Sequence, residues 1–235
     1  MIALTVTQIN GGINLMMNLR YKDIIPSLED TVFHIFGCGA IGSAAAIQLT
    51  RMGAVSFVMY DMDKIEVHNI GVSNYNHNHI GEYKTTALKM QMLDINPELR
   101  TVQCLNKKVN NSTIMYMTGN DIAVLGFDSM ESRRDAVRAL YKSSIRPKIV
   151  IDGRMGAEHY QQTTTKSLKE YLNTWYSDSD GDPEPCTAKA TSYCSNFAGS
   201  MIASNVRKII TNQPYSKEFS FHFPTMMLDY KRQRV

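Results

Sequence analysis

The chain has 235 residues, 43% of them hydrophobic and 20% charged, with a net charge of +3. That supplies enough apolar material for one large α/β unit with a buried core, and so small a charge excess argues against nucleic acid as a partner. No apolar run approaches the roughly 18 residues of a membrane span, no basic stretch is followed by a signal-like apolar one, and the four cysteines (Cys38, Cys104, Cys186, Cys194) contain no C-x-x-C pair; the expectation is a soluble, cytoplasmic protein in a reducing compartment, without membrane contact and without structural zinc.

Residues 1–31 read as a lead-in, with a strand in MIALTVTQI and a short amphipathic helix in INLMMNLRYKDII. From residue 32 the pattern sharpens. VFHIFG is a short apolar run ending in glycine, as a buried parallel strand does. AIGSAAAIQLTRMG is small and apolar, with Gly53 placed as a helix stop. VSFVMYD is a second strand, which completes a βαβ unit in about thirty residues. A helix follows in HIGEYKTTALKMQMLDINPEL, ended by Asn96-Pro97. RTVQCLNKKV and DIAVLGFD read as strands, ESRRDAVRALYKSSI as a helix and PKIVIDGRMG as a strand. This alternation predicts a Rossmann-like, doubly wound α/β fold with a mainly parallel sheet and helices on both faces. HYQQTTTKSLKEYL is polar, and a long loop is expected near 165–190, around the acidic SDSDGDPEP. CTAKATSYCSNFAGSMIASNVRKII reads as a helix and EFSFHFPTMMLDYKRQ as a hairpin. The whole chain, 1–235, is read as one domain carrying that loop.

The glycines Gly37, Gly39 and Gly42 form G-x-G-x-x-G between the first strand and the first helix, and Asp61 follows nineteen residues after Gly42. In that pattern the first glycine permits the turn and the second lets backbone approach phosphates. The third lets helix pack on strand, and the acid takes ribose hydroxyls. Free N–H groups at the helix start, beside Ala40, favour an anion. The pattern implies a nucleotide but does not choose between NAD and ATP.

The segment YDMDKIEVHNIGVSNYNHNHIGEYK, residues 60–84, makes that choice. It resembles the ThiF/MoeB/E1-like family of enzymes that adenylate a C-terminal carboxylate. The family shows D-x-D-x-V-x-x-x-N-L after the second strand, V-G-x-x-K leading into a helix, and N-P near that helix's end. Here these are Asp61, Asp63, Asn69-Ile70, Ile80-Gly81-Glu82-Tyr83-Lys84 and Asn96-Pro97. A later strand ends in Asp128, with Arg133 five residues on, and VIDGRMG matches the family's glycine-containing turn. The resemblance covers roughly residues 20–160. It implies ATP and Mg²⁺ as cofactors, with Asp61 and Asp63 at the nucleotide, Asn69 and Lys84 at the phosphates, and Asp128 holding the metal. Arg133 would count among the ATP-binding residues, orienting the site or pairing with a carboxylate. The implied substrate is the C-terminal tail of a ubiquitin-like protein or peptide, and the implied assembly is a homodimer.

Two departures qualify this. The family continues N-L-x-R-Q, but this chain reads NIGVS, with Val72 and Ser73 where the arginine and glutamine stand. In RYKDI, residues 20–24, Asp23 replaces a second family arginine; Arg20, Lys22 and Arg154 are the candidate substitutes. Some members carry a cysteine on a loop over the site. Cys186, in the polar loop, and Cys194, in a helical pattern, lie in the matching region, and Cys186 is the better placed of the two, while burial as a small apolar residue is the commoner fate of such a thiol. Besides the adenylating enzyme, a non-catalytic or partner-dependent E1-like module and an NAD-dependent oxidoreductase remain as alternatives.

Overall fold

The computed structural model describes residues 20–180 and 190–232. The expected strand in residues 1–9, most of the helix expected over 13–25, and Cys186 lie outside these.

Among the described residues the strands are β1 (Val32–Phe36), β2 (Ser56–Tyr60), β3 (Thr101–Leu105), β4 (Ile122–Leu125), β5 (Ile149–Gly156), β6 (His159–Thr165), β7 (Ser216–His222) and β8 (Met227–Arg232). The helices are α1 (Ala40–Arg51), α2 (Val67–Ile70), α3 (Lys84–Ile95), α4 (Met130–Lys142), α5 (Leu168–Leu172) and α6 (Ser192–Ile210). They build one eight-stranded sheet in the order β3-β2-β1-β4-β5-β6-β7-β8. The first five strands run parallel and the last three antiparallel, so the mainly parallel, doubly wound expectation holds.

Alternation along β1 divides the core. Phe33 and Ile35 point into a cluster with α1, α3 and α6, while Phe36 joins a second cluster with α4 and α5. Helix α1 is buried nearly all round because it lies between the sheet and α6. Its small residues follow from that: a Cβ on Gly199 of α6 would come within 2.7 Å of the Ala44 backbone and 2.8 Å of its methyl, so the two helices meet there with room for nothing larger than alanine opposite glycine.

Two segments differ from the sequence reading. Residues 20–25 form a hydrogen-bonded turn, with the Ile24 and Ile25 N–H groups on the Tyr21 carbonyl at 2.9 and 2.8 Å; Pro26 disfavours continuation as a helix. Strand β6 falls in what read only as a polar stretch. It is paired on both sides, and its inward residues are polar but satisfied: the Tyr160 hydroxyl donates to Gln162 Oε1 at 2.9 Å, and Asn205 Nδ2 donates to Thr164 Oγ1 at 2.9 Å.

One buried polar pair has a pH consequence. His34 Nε2 on β1 lies 3.1 Å from Asp121 Oδ2, and Asp121 also accepts the Thr118 N–H at 2.8 Å. Burial works against the Asp121 charge, but His34 and Thr118 outweigh it and hold its carboxyl below the usual range. A depressed carboxyl pKa contributes stability above the unfolded value, and that contribution is lost as pH falls through the folded one. His34→Phe should therefore cost about 1–3 kcal/mol near neutral pH and raise the midpoint of acid unfolding. Circular dichroism against pH checks this, and an unchanged midpoint would refute it.

Candidate nucleotide site

The glycine loop, the turns after β2 and β4 and the start of α3 meet at the carboxyl ends of β1, β2 and β4, where open α/β sheets bind ligands. Gly37 has φ +84° and closes the turn after β1; its N–H donates to the Tyr60 carbonyl at 2.8 Å. A Cβ on Gly42 would stand 1.8 Å from the Gly37 carbonyl oxygen. Gly39 differs from both: a Cβ there meets nothing within 4 Å. It is the N-cap of α1 and brings no capping side chain, so no side chain of its own occupies the N-terminal end of the helix. That suits an anion.

Asp61 is buried and holds the loops on either side of it. Its Oδ2 accepts the Cys38 N–H at 2.7 Å and its Oδ1 the Asp63 N–H at 2.8 Å. Each oxygen keeps a lone pair that can accept a ribose hydroxyl. Burial pushes the Asp61 carboxyl up, against the pull of Lys84 and the two backbone N–H groups. Lys84 opens α3, and its ammonium donates to Asp63 Oδ2 at 2.8 Å. Burial disfavours the Lys84 charge, but Asp61, Asp63 and Asp128 outweigh it and keep its pKa above the ordinary lysine value. Lys84 thus bonds one carboxylate directly and feels the charge of two others.

Asp128 is exposed just past the end of β4. It does not cap α4: Ser129 does, its hydroxyl accepting the Ser132 N–H at 3.3 Å. The capping alternative for Asp128 is therefore taken by its neighbour. Asn69 lies half-buried in α2, and its Oδ1 accepts the Glu66 N–H at 2.9 Å, which fixes the turn after Asp63.

Arg133 is placed differently from a nucleotide ligand. It is buried, with Nη1 on Asp152 Oδ1 and on the Gly153 carbonyl at 2.6 Å, and Nη2 on the Phe127 carbonyl. It pairs with a carboxylate and reaches the site through the backbone next to Asp128. The candidate substitutes for the missing arginine are also placed elsewhere. The Arg154 guanidinium is bound to Asp152 and Thr174. Arg20 and Lys22 flank Tyr21, whose hydroxyl donates to the Arg51 carbonyl at 2.8 Å. That is the far end of α1, about 18 Å from the glycine loop at 1.5 Å per residue. The Val72 carbonyl accepts the Ser195 hydroxyl at 2.8 Å, so the turn at 72 is tied to α6 and carries no cation.

Cys194 is fully buried in the core, and burial together with Glu158 pushes its thiol up to about 11. That favours the protonated thiol over the nucleophilic thiolate at neutral pH. Among the described residues no group of three or more His, Cys, Asp or Glu side chains is arranged to hold a metal. A single carboxylate still suits Mg²⁺, which takes one or two protein carboxylates alongside substrate phosphates and water.

Tyr75 was not legible as a site residue. Its buried hydroxyl lies 2.5 Å from the Cys38 carbonyl and 3.2 Å from the Lys84 carbonyl, and so joins the glycine loop to the start of α3. Ser43 does similar work, its hydroxyl accepting the Asn74 N–H at 3.1 Å. A lone tyrosine in a loop, or a lone serine in a helix, carries no spacing signal that reports such partners.

The model of the ThiF family matches residues 14–235. The chain is 29% identical over 112 residues to ubiquitin-like modifier-activating enzyme 5 of Caenorhabditis briggsae, covering 46% of this chain and 24% of that protein. It is 35% identical over 87 residues to the Arabidopsis thaliana protein of the same name, covering 36% and 20%. The matched part thus spans a quarter or less of these relatives' length. Among solved structures, E. coli MccB with AMPCPP and MccA superposes with a TM-score of 0.70 at 17% identity, covering 94% of this chain and 72% of that one. E. coli MccB with ATP gives 0.65 at 17%, covering 87% and 64%, and PaaA gives 0.66 at 18%, covering 97% and 74%. At these identities the likeness establishes the shared α/β fold. No helix among the described residues is long and apolar enough to cross a membrane.

Proposed function

The chain belongs to the ThiF family, and from that premise we propose that it adenylates the C-terminal carboxylate of a ubiquitin-like protein or peptide with ATP, releasing pyrophosphate. The observation that carries this reading is Asp128, exposed and free of the capping role that Ser129 takes, with its charge felt by Lys84, beside a glycine loop whose second glycine has open space where a side chain would stand. The relatives named for activating ubiquitin-like modifiers and the MccB structures holding ATP or MccA support it.

In this reading α1 receives phosphates at its N-terminus and Asp61 takes the ribose, with Asp63 beside it. One oxygen of the substrate carboxylate attacks the α-phosphorus, and the bond to pyrophosphate breaks. Lys84 meets the charge that builds on the phosphate oxygens. Mg²⁺, held by Asp128, would neutralise the departing pyrophosphate. Asn69 shapes the turn beside the phosphates. The excess of carboxylates over cations makes free ATP a poor ligand, so Mg²⁺ should strengthen ATP binding by at least about tenfold. The free thiols of Cys38, Cys104 and Cys194 suit a cytoplasmic setting. A homodimer supplies a source for the cation missing at Val72.

Calorimetry of Mg-ATP, AMP and NAD on the wild type and on Asp128→Ala tests the reading. Mg-ATP should bind, and the variant should lose the magnesium-dependent part of the affinity. Binding of NAD instead would reassign the site to an oxidoreductase. A second reading, a non-catalytic or partner-dependent module, is favoured by one observation, the absence of an arginine at Val72; failure to bind any nucleotide would select it.

A further inference from the structure

Asp152 takes no part in the reaction above, yet it is the most completely enclosed carboxylate near the site, at 0% exposure on β5. One oxygen accepts from Arg133 Nη1 and the other from Arg154 Nε at 2.8 Å. Neither arginine ends there. Arg133 continues to the Phe127 carbonyl, the residue before Asp128. Arg154 continues to Thr174, with Nη1 on its carbonyl at 2.7 Å and Nη2 on its hydroxyl at 3.3 Å. The rings of Tyr171 and Tyr176 lie 5.9 and 5.3 Å from the Arg154 guanidinium. A guanidinium is a rigid planar fork, so fixing one edge on Asp152 fixes where the other edge points. In both cases the other edge grips backbone, which sets a segment and not merely a side chain.

We infer that Asp152 is a positioning residue: through Arg133 and Arg154 it couples the turn carrying Asp128 to the segment 174–178, so that a ligand gripped at Asp128 also orders that segment. The inference rests on the nucleotide reading of the site. The segment lies against the same turn by direct contacts as well. Trp175 Nε1 donates to the Met130 carbonyl at 2.7 Å, and Asp178 accepts the Met130 N–H at 2.9 and 3.1 Å. These contacts form the rival route. They touch α4 after Asp128, whereas the Asp152 route grips the backbone before it.

Hydrogen exchange with and without Mg-ATP separates the routes. In the wild type, Mg-ATP should slow exchange at least about threefold both in residues 127–132 and in residues 174–178. Arg154→Met cuts one arm only and leaves Asp152 paired with Arg133, so no buried charge is left alone and the variant should fold. It should keep the protection at 127–132 and lose it at 174–178. Asp152→Asn removes the hub; where it folds, exchange should rise in both segments without ligand. If Arg154→Met keeps protection in both segments, the direct contacts carry the coupling and the inference is overturned. It is equally overturned if Mg-ATP binds the wild type but protects only 127–132. If Mg-ATP does not bind the wild type at all, the nucleotide reading itself fails, and this inference with it.

Discussion

Replacing Lys84 with methionine should weaken Mg-ATP binding by about a hundredfold or more, while leaving the melting temperature within a few degrees of the wild type. The asymmetry comes from where its partners sit. The ammonium is nearly enclosed, with 11% of the side chain exposed, but the carboxylate it bonds, Asp63, is 55% exposed. A pair with one wet member contributes little to stability, so its loss is tolerated by the fold. A nucleotide meets a different situation. On the proposed reading, removing Lys84 would leave Asp61, Asp63 and Asp128 without the ammonium that offsets them, and the triphosphate would enter a field closer to its own sign. Methionine keeps the length and apolar stem, so the loss is one of charge and not of packing. Because the Lys84 pKa is raised above 10.5, its charge is fully present below that value and is lost only as pH rises through the higher, folded one. The contribution of Lys84 to ATP affinity should thus be flat from neutral to mildly alkaline pH. Calorimetry at a series of pH values measures both points; an unchanged dissociation constant in Lys84→Met would remove this residue from the site.

The parts of the candidate site that were legible in the sequence are those set by local spacing or, for Lys84, by the resemblance of residues 60–84. Gly37, Gly39 and Gly42 sit where a strand must turn into a helix, Asp61 ends the next strand, and Lys84 opens a helix stopped by Asn96-Pro97. Each depends on neighbours within a few positions. Asp128 could be placed at a strand end, but whether it capped α4 depended on Ser129, which has an equally good hydroxyl; only the structure decides between them. Arg133 marks the limit. Its five-residue spacing from Asp128 puts it on the first turns of α4, yet nothing local says that it turns inward. The reason is Asp152, nineteen residues away on β5, whose own role depends in turn on Arg154 and Thr174. A buried carboxylate that must be satisfied by arginines from two elements leaves no periodic trace. Strand β6 was hidden for a related reason: its buried positions are Tyr160, Gln162, Thr164 and Thr165, so the apolar alternation that marks a half-buried strand is replaced by hydrogen-bonded polar residues.

The glycine loop permits a sharper separation of folding from binding than any charged residue does. Gly42→Ala should destabilise the protein by at least about 3 kcal/mol and lower its melting temperature by roughly 6–12 °C. The added methyl would lie 1.8 Å from the Gly37 carbonyl oxygen, a contact that backbone on both sides must move to relieve. Gly126 packs its own Cα against the same place, where a Cβ would meet the Gly42 nitrogen at 2.9 Å, so the displacement has nowhere to go without disturbing the turn that leads to Asp128. Gly39→Ala is the opposite case. Its φ of −75° is negative, and a methyl there meets no protein atom within 4 Å, so stability should change by no more than about 1 kcal/mol. The open space is what a phosphate approaching the helix N-terminus would occupy, and Mg-ATP affinity should fall by about tenfold or more. Thermal unfolding and calorimetry on the two variants, side by side, measure the contrast. If Gly39→Ala binds Mg-ATP as tightly as the wild type, the phosphates do not lie against the second glycine, and the loop is a packing device that merely resembles a nucleotide cradle.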